Sequence, residues 1–195
     1  MNFVKVRTVG VLAIQGAYHK HSEAVRKLGI NSVEVRTTED IDVIDGLIIP
    51  GGESTTIGKL LVKNNLLDPI KKRIDNGMAV FGTCAGMILL AKSVTGREQP
   101  LLGVMDVSVE RNAYGRQIDS FEAVFPVKGI SGNPVNGIFI RAPKIIEVSE
   151  NVEVLASYEN VPVLVRQGNI LASSFHPELS DDLRIHSYFI SAMLC

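Results

Sequence analysis

Two short stretches carry side chains whose types and spacing can do chemistry. The first is Gly82-Thr83-Cys84-Ala85-Gly86, which follows a β-rich apolar run at residues 78–81 and leads into an all-apolar segment. A thiol between a strand and a helix has the arrangement of a nucleophile elbow, with Cys where Ser is more usual. The flanking glycines let the two chain arms approach closely around a residue held in a strained conformation. At a helix N-terminus the thiolate is favoured, because unpaired backbone N–H groups and the helix dipole stabilise negative charge. Taken alone, the stretch fits a buried structural cysteine equally well, since free Cys is among the most buried residue types.

A partner base separates these readings, and Ser173-Ser174-Phe175-His176-Pro177-Glu178 supplies one. Pro177 disfavours the α region for His176, so the spacing predicts an extended stretch in which His176 and Glu178 face the same way. The imidazole would take the proton from Cys84 and pass it to a leaving amine, while the carboxylate fixes the tautomer and orientation of the ring.

A third stretch, residues 47–56, reads LIIPGGESTT and predicts a strand that ends in a Gly-rich loop opening a helix. Backbone N–H groups of Gly52 and of Ala85, the residue after the thiol, are candidates for an oxyanion hole. A phosphate cradle fails on spacing: five residues separate Gly52 from Gly58, and Leu60 follows Lys59 where a P-loop needs Ser or Thr. The first strand is followed by no G-x-G-x-x-G, which disfavours a dinucleotide site. Gln15 and Gly16, at the carboxyl end of that strand, belong to the same sheet edge. Gly51 and Gly52 permit a peptide flip, so Gln15 and Gly16 are read as a point where a partner gates the oxyanion hole.

The remaining polar candidates are weaker. Arg111 and Arg141 stand at the ends of strand-like runs, where they can fork onto a carboxylate or pair with structural acids. His19 and His21 form an H-x-H pair without further ligands, read as helix-start or surface residues; no metal and no cofactor are expected. Cys195, at the chain end, is read as incidental, and in a reducing compartment both cysteines are free thiols.

The elements that must position these residues follow from the apolar pattern. The 195 residues are 46% hydrophobic, enough for one substantial core, and a single domain over residues 1–195 is expected. Strands at residues 9–14, 32–35, 46–49 and 78–81 alternate with helices at 19–28, 56–62 and 68–75, which predicts a parallel sheet with helices on both faces. From about residue 101 to 175 strand-like runs dominate, predicting an antiparallel region that flanks this sheet, and apolar residues from Leu183 to Met193 predict a closing helix. A net charge of −1 without blocks of like charge argues against nucleic acid or a membrane as partner. Neither a signal peptide nor a spanning segment is read, so the cytosol is the expected compartment.

GTCAG with a later HPE resembles the class I, triad-type glutamine amidotransferases. The ordered set VGVLAIQGA, LIIPGGESTT, GTCAGMILLA, VERNAYGRQIDSFEA, FIRAP and SSFHPEL is similar, more narrowly, to the glutaminase-subunit family of pyridoxal 5'-phosphate synthase. The resemblance implies a flavodoxin-like three-layer α/β fold and hydrolysis of L-glutamine to glutamate and ammonia, which passes to a synthase subunit. It implies Cys84 as nucleophile with His176 and Glu178, and glutamine held by Gly52, Glu53, Ser54, Arg111, Ile140 and Arg141. In that family the residue before the first-loop histidine is usually acidic, whereas here Lys20 precedes His21. A related cysteine peptidase or hydratase, and a catalytically silent scaffold, are the competing readings; PGGES with HPE argues against the former and the intact Cys, His and Glu set against the latter.

Overall fold

The computed structural model describes residues 7–96, 98–111 and 120–194. Its first half runs β1 (Thr8–Leu12), α1 (Tyr18–Lys27), β2 (Asn31–Val35), α2 (Thr38–Asp42), β3 (Gly46–Ile49), α3 (Ser54–Lys63), α4 (Leu67–Asp75), β4 (Ala79–Thr83), α5 (Ala85–Leu90) and β5 (Ala91–Thr95). The second half adds β6 (Met105–Glu110), β7 (Ser120–Phe125), β8 (Val135–Ile140), β9 (Lys144–Val148), β10 (Glu153–Tyr158), β11 (Val161–Gln167), β12 (Ile170–Ser173), a 3-10 turn at Pro177–Leu179 and α6 (Arg184–Met193).

Seven strands form the central sheet in the order β10-β11-β12-β4-β3-β1-β2. From β12 to β2 every pair is parallel, and β11 and β10 extend the β12 edge antiparallel. This is the mostly parallel α/β architecture with flanking antiparallel strands that the sequence predicts. Alternation along each strand divides the apolar side chains between two cores. Leu47, Ile49 and Val80 face a core shared with Ile57 and Leu61 of α3 and Ile70 and Ile74 of α4. Ile48 and Phe81 face the other, shared with Val25 of α1, Ile185 and Phe189 of α6 and Phe125 and Phe139 of the β7–β8 hairpin. Helices therefore cover both faces, as buried parallel strands require.

The topology decides where the chemistry-bearing residues meet. β12 returns beside β4 with Ser173 opposite Thr83, so the chain beyond β12 emerges next to the residue that follows β4. Above them the Phe125 and Phe139 rings pack on Phe175, with centroids 5.3 and 5.7 Å away, and fix the residue before His176.

Several expectations need correction. The first strand stops at Leu12 rather than Ile14: the Ala13 N–H makes the final ladder bond, to Val35 O of β2, and the chain then turns at Ile14-Gln15-Gly16. The apolar run after Cys84 is helical only to Leu90 and becomes β5 without an intervening Gly or Pro. Neither α2 nor β9 is foreseen. Nor does the extended backbone at His176 continue through Glu178, since Pro177 begins the 3-10 turn. Cys195 and the part of VERNAYGRQ beyond Arg111 lie outside the described residues.

Candidate active site

Cys84 has φ 49° and ψ −100°, a left-handed conformation that side-chain-bearing residues rarely adopt and that costs about 1–3 kcal/mol. Close backbone contacts on both sides hold it there. A Cβ on Gly86 would lie 2.1 Å from the Ile49 carbonyl oxygen, and one on Gly82 would lie 2.6 Å from the Gly86 carbonyl carbon. The Cys84 N–H donates to Ser173 O at 2.8 Å, tying the elbow to β12. Cys84 is 7% exposed, with its thiol 3.9 Å from the Ile140 carbonyl oxygen.

His176 lies beside it. Its backbone N–H donates to Ile138 O at 2.8 Å, and its Nδ1 lies 2.7 Å from Glu178 Oε1. An ionised carboxylate only accepts, so Nδ1 carries the proton and Nε2 is left for the thiol side. Burial alone would push the imidazole down. Hydrogen bonds and charge from Cys84 and Glu178 outweigh it and raise His176 to about 10. Burial would likewise push Glu178 up, yet the facing His21 and His176 imidazoles hold its carboxyl below the usual range. Gly51 packs on the His176 ring so closely that a Cβ there would lie 2.3 Å from its Cε1.

A cleft of about 500 Å³ opens over this pair. Gly52, Glu53, Ser54, Ala85, Arg111, Ile140 and Arg141 line it together with Cys84 and His176, so the residues the resemblance implies for glutamine binding share one cleft with the thiol. Glu53 also caps α3, accepting from the N–H groups of Thr55 and Thr56 at 3.2 and 2.7 Å. Slight burial opposes these bonds, but together with the Thr56 hydroxyl they bring its carboxyl to about 2. The Arg111 guanidinium is engaged by Glu53 Oε1 at 3.0 Å, Thr55 Oγ1 at 2.9 Å and Gln99 Oε1 at 3.3 Å. Ser54 Oγ turns to the same Gln99 oxygen at 3.0 Å. Of the two roles open to Arg111, pairing with a structural acid is realised on the cleft wall.

Gln15 and Gly16 grip the Gly-rich loop. Gln15 Oε1 accepts from the Glu53 N–H at 3.0 Å, and the Ala17 N–H donates to Gly51 O at 3.1 Å. Gly16, with φ 100°, allows that approach: a Cβ there would lie 2.0 Å from Gly51 O.

The sequence profile of the SNO glutamine amidotransferase family matches residues 11–194. The chain belongs to this family. Its relatives include the pyridoxal 5'-phosphate synthase subunit PdxT of Carboxydothermus hydrogenoformans, 53% identical over 182 residues, 93% of this chain and 95% of that protein. The PdxT protein of Thermosipho africanus is 54% identical, covering 94% of this chain and 97% of that one. A crystal structure described as a glutamine amidotransferase superposes with a TM-score of 0.90 at 53% identity, covering 93% of this chain and 96% of the other.

Within this family member, two buried histidines were not foreseen as part of the site. His21 is not a surface residue: it is fully buried on α1, whereas His19 stays exposed near Glu34. His186, on α6, is fully buried against it. A signal exists in the sequence, because His21 lies three and four residues before Ala24 and Val25, and His186 three before Phe189, on the apolar stripes of their helices. Gln99, which collects Ser54, Thr55 and Arg111, lies in a loop with no such pattern.

Proposed function

We propose that this chain, acting as one glutamine amidotransferase domain, hydrolyses L-glutamine to L-glutamate and ammonia through Cys84, His176 and Glu178. The observation that carries this reading is the 2.7 Å contact from His176 Nδ1 to Glu178 Oε1 behind a cysteine on a strained elbow. The neighbouring Cys84 and Glu178 raise His176 to about 10, so its ring is a ready proton acceptor: Nε2 takes the Cys84 proton, leaving a thiolate beside an imidazolium. The thiolate attacks the side-chain amide carbon of glutamine, and the carbonyl electrons move onto oxygen, where the N–H groups of Ala85 and Gly52 stabilise the charge. The tetrahedral species collapses as His176 Nε2 gives its proton to the amide nitrogen. The C–N bond breaks, ammonia leaves, and a glutamyl thioester remains. Neutral His176 then takes a proton from water, whose oxygen attacks the thioester. Collapse releases glutamate, restoring thiolate and imidazolium. Glutamine is held by Gly52, Glu53, Ser54, Arg111, Ile140 and Arg141, all of which line the cleft.

The ammonia passes to the synthase subunit of pyridoxal 5'-phosphate synthase, a reading supported by the naming of relatives 53% and 54% identical over most of their length. Ile140 and Leu179, 39% and 41% exposed at the cleft, offer such a partner apolar contact. Among the described residues no helix is long and apolar enough to cross a membrane, and the cytosol is the proposed compartment. The test is glutamate and ammonia production with and without the synthase subunit. Turnover of glutamine is expected, and its absence in the complex would overturn the reading.

A further inference from the structure

Behind Glu178 lies a buried polar group that the proposed reaction steps do not use. His21 Nδ1 is 2.9 Å from His186 Nε2, while His21 Nε2 is 3.1 Å from Thr83 Oγ1 and 3.4 Å from Glu178 Oε2. Among the described residues, Glu178 Oε2 is buried without a hydrogen-bond partner of good geometry, and the His21 imidazole is the polar group facing it. A cation site is excluded sterically, because the two imidazoles are within direct hydrogen-bond distance of each other.

The tautomers follow from the acceptors. With a proton on His21 Nε2, the N–H donates to Thr83 Oγ1 and lies beside the carboxylate, 3.4 Å from Oε2, and Nδ1 accepts from His186 Nε2–H. His186 Nδ1, which has no hydrogen-bond partner among the described residues, is then a bare acceptor. The opposite arrangement would aim a lone pair at the Glu178 carboxylate and bury an unpaired N–H on His186, which is the costlier defect. Burial lowers both imidazoles, His186 to about 3, so neither adds a positive charge beside His176 near neutral pH.

We propose that His21 is a positioning residue of the glutaminase reaction: its Nε2–H holds Glu178 Oε2 and Thr83 in register, so that Oε1 is presented to His176, and His186 fixes the His21 tautomer. The inference rests on the glutaminase reading above. It gives α1, which begins one residue after Ala17, a direct hold on both the elbow and the His-Pro-Glu turn.

The test is a double-mutant cycle between position 21 and Glu178, measured on the complex with the synthase subunit. His21→Leu is expected to lower kcat by about tenfold, with KM for glutamine little changed. His21→Gln, whose amide can place an N–H near the same point, is expected to recover most of that loss. In a Glu178→Gln background, His21→Leu is expected to have less than about a twofold further effect, because both changes act through one carboxylate. If His21→Leu does not fold, His21→Asn replaces it: the shorter amide can keep a contact to His186 but does not reach Glu178. Multiplicative losses, or a folded His21→Gln no better than the Leu or Asn variant, would overturn the positioning role and leave the glutaminase reading intact. A wild type without glutamine turnover would overturn both.

Discussion

His176 Nδ1 lies 2.7 Å from Glu178 Oε1 although Pro177 between them starts a 3-10 turn and ends the extended backbone. The turn brings the carboxylate back beneath the ring, and burial of Glu178 keeps water from competing for it. His176→Ala should therefore abolish thioester formation. Glu178→Gln, which keeps the shape but loses the charge, should reduce kcat roughly ten- to a hundredfold less severely. Rapid-quench measurement of the acyl-enzyme checks this, and a Glu178→Gln variant more damaged than His176→Ala would reverse the assigned roles.

The elbow's glycines make a separate, structural prediction. Gly86→Ala drives a methyl group into the Ile49 carbonyl, and an overpacked site of this kind is expected to cost about 1–3 kcal/mol. A Tm several degrees lower, with loss of Cys84 reactivity, is the expected outcome. Unchanged thermal unfolding would mean that β3 and α5 do not meet as closely as described.

How much of this was legible in the sequence depends on the range of the interaction. Parallel strands buried on both faces are continuous apolar runs, so β3 and β4 are readable, and the Gly-x-Cys-x-Gly pattern marks the turn that Cys84 occupies. The β5 strand is hidden because helix passes into strand at Ala91 without a breaking residue. The burial of His21 and His186 comes from packing α1 and α6 on one face of the sheet, a contact between residues 165 positions apart that local pattern does not encode. The Arg111 clamp likewise depends on Gln99 and Thr55 being brought to it by the fold.

Acid stability should carry the signature of the buried histidines. Folded His186 titrates at about 3 and unfolded histidine at about 6.5, so between these values the unfolded chain binds the extra proton and stability falls as pH falls. His21 shifts in the same direction. The lowered carboxylates, Glu53 and Asp106 at about 2, also lose stability in acid, but only below their unfolded values near 4 to 4.5. Within pH 6.5 to 4.5 each such histidine contributes a slope of at most about 1.4 kcal/mol per pH unit. Denaturant unfolding of the wild type and His186→Leu across that window is expected to give a shallower slope for the variant. Equal slopes would show that His186 is not held neutral.

The loop grip at Gln15 predicts gating. Gln15 holds the Glu53 N–H and Ala17 holds Gly51 O, so a partner bound at that edge can bias the orientation of the Gly51–Gly52 peptide. The isolated chain is expected to be a poor glutaminase that gains activity as synthase subunit is titrated in, with Gln15→Ala and Gly52→Ala altering that gain. Full activity without the partner, unchanged at saturation, would contradict gating and leave the triad assignment standing.

The most direct test of the account is covalent. A glutamine-like electrophile, incubated with the complex and mapped by mass spectrometry, is expected to modify Cys84 stoichiometrically, spare Cys195 and abolish glutamine turnover. Cys84→Ala should remain folded, take up no label and release no ammonia. Turnover that persists in Cys84→Ala, or equal labelling of both cysteines, would contradict the claim that Cys84 is the nucleophile of a glutaminase.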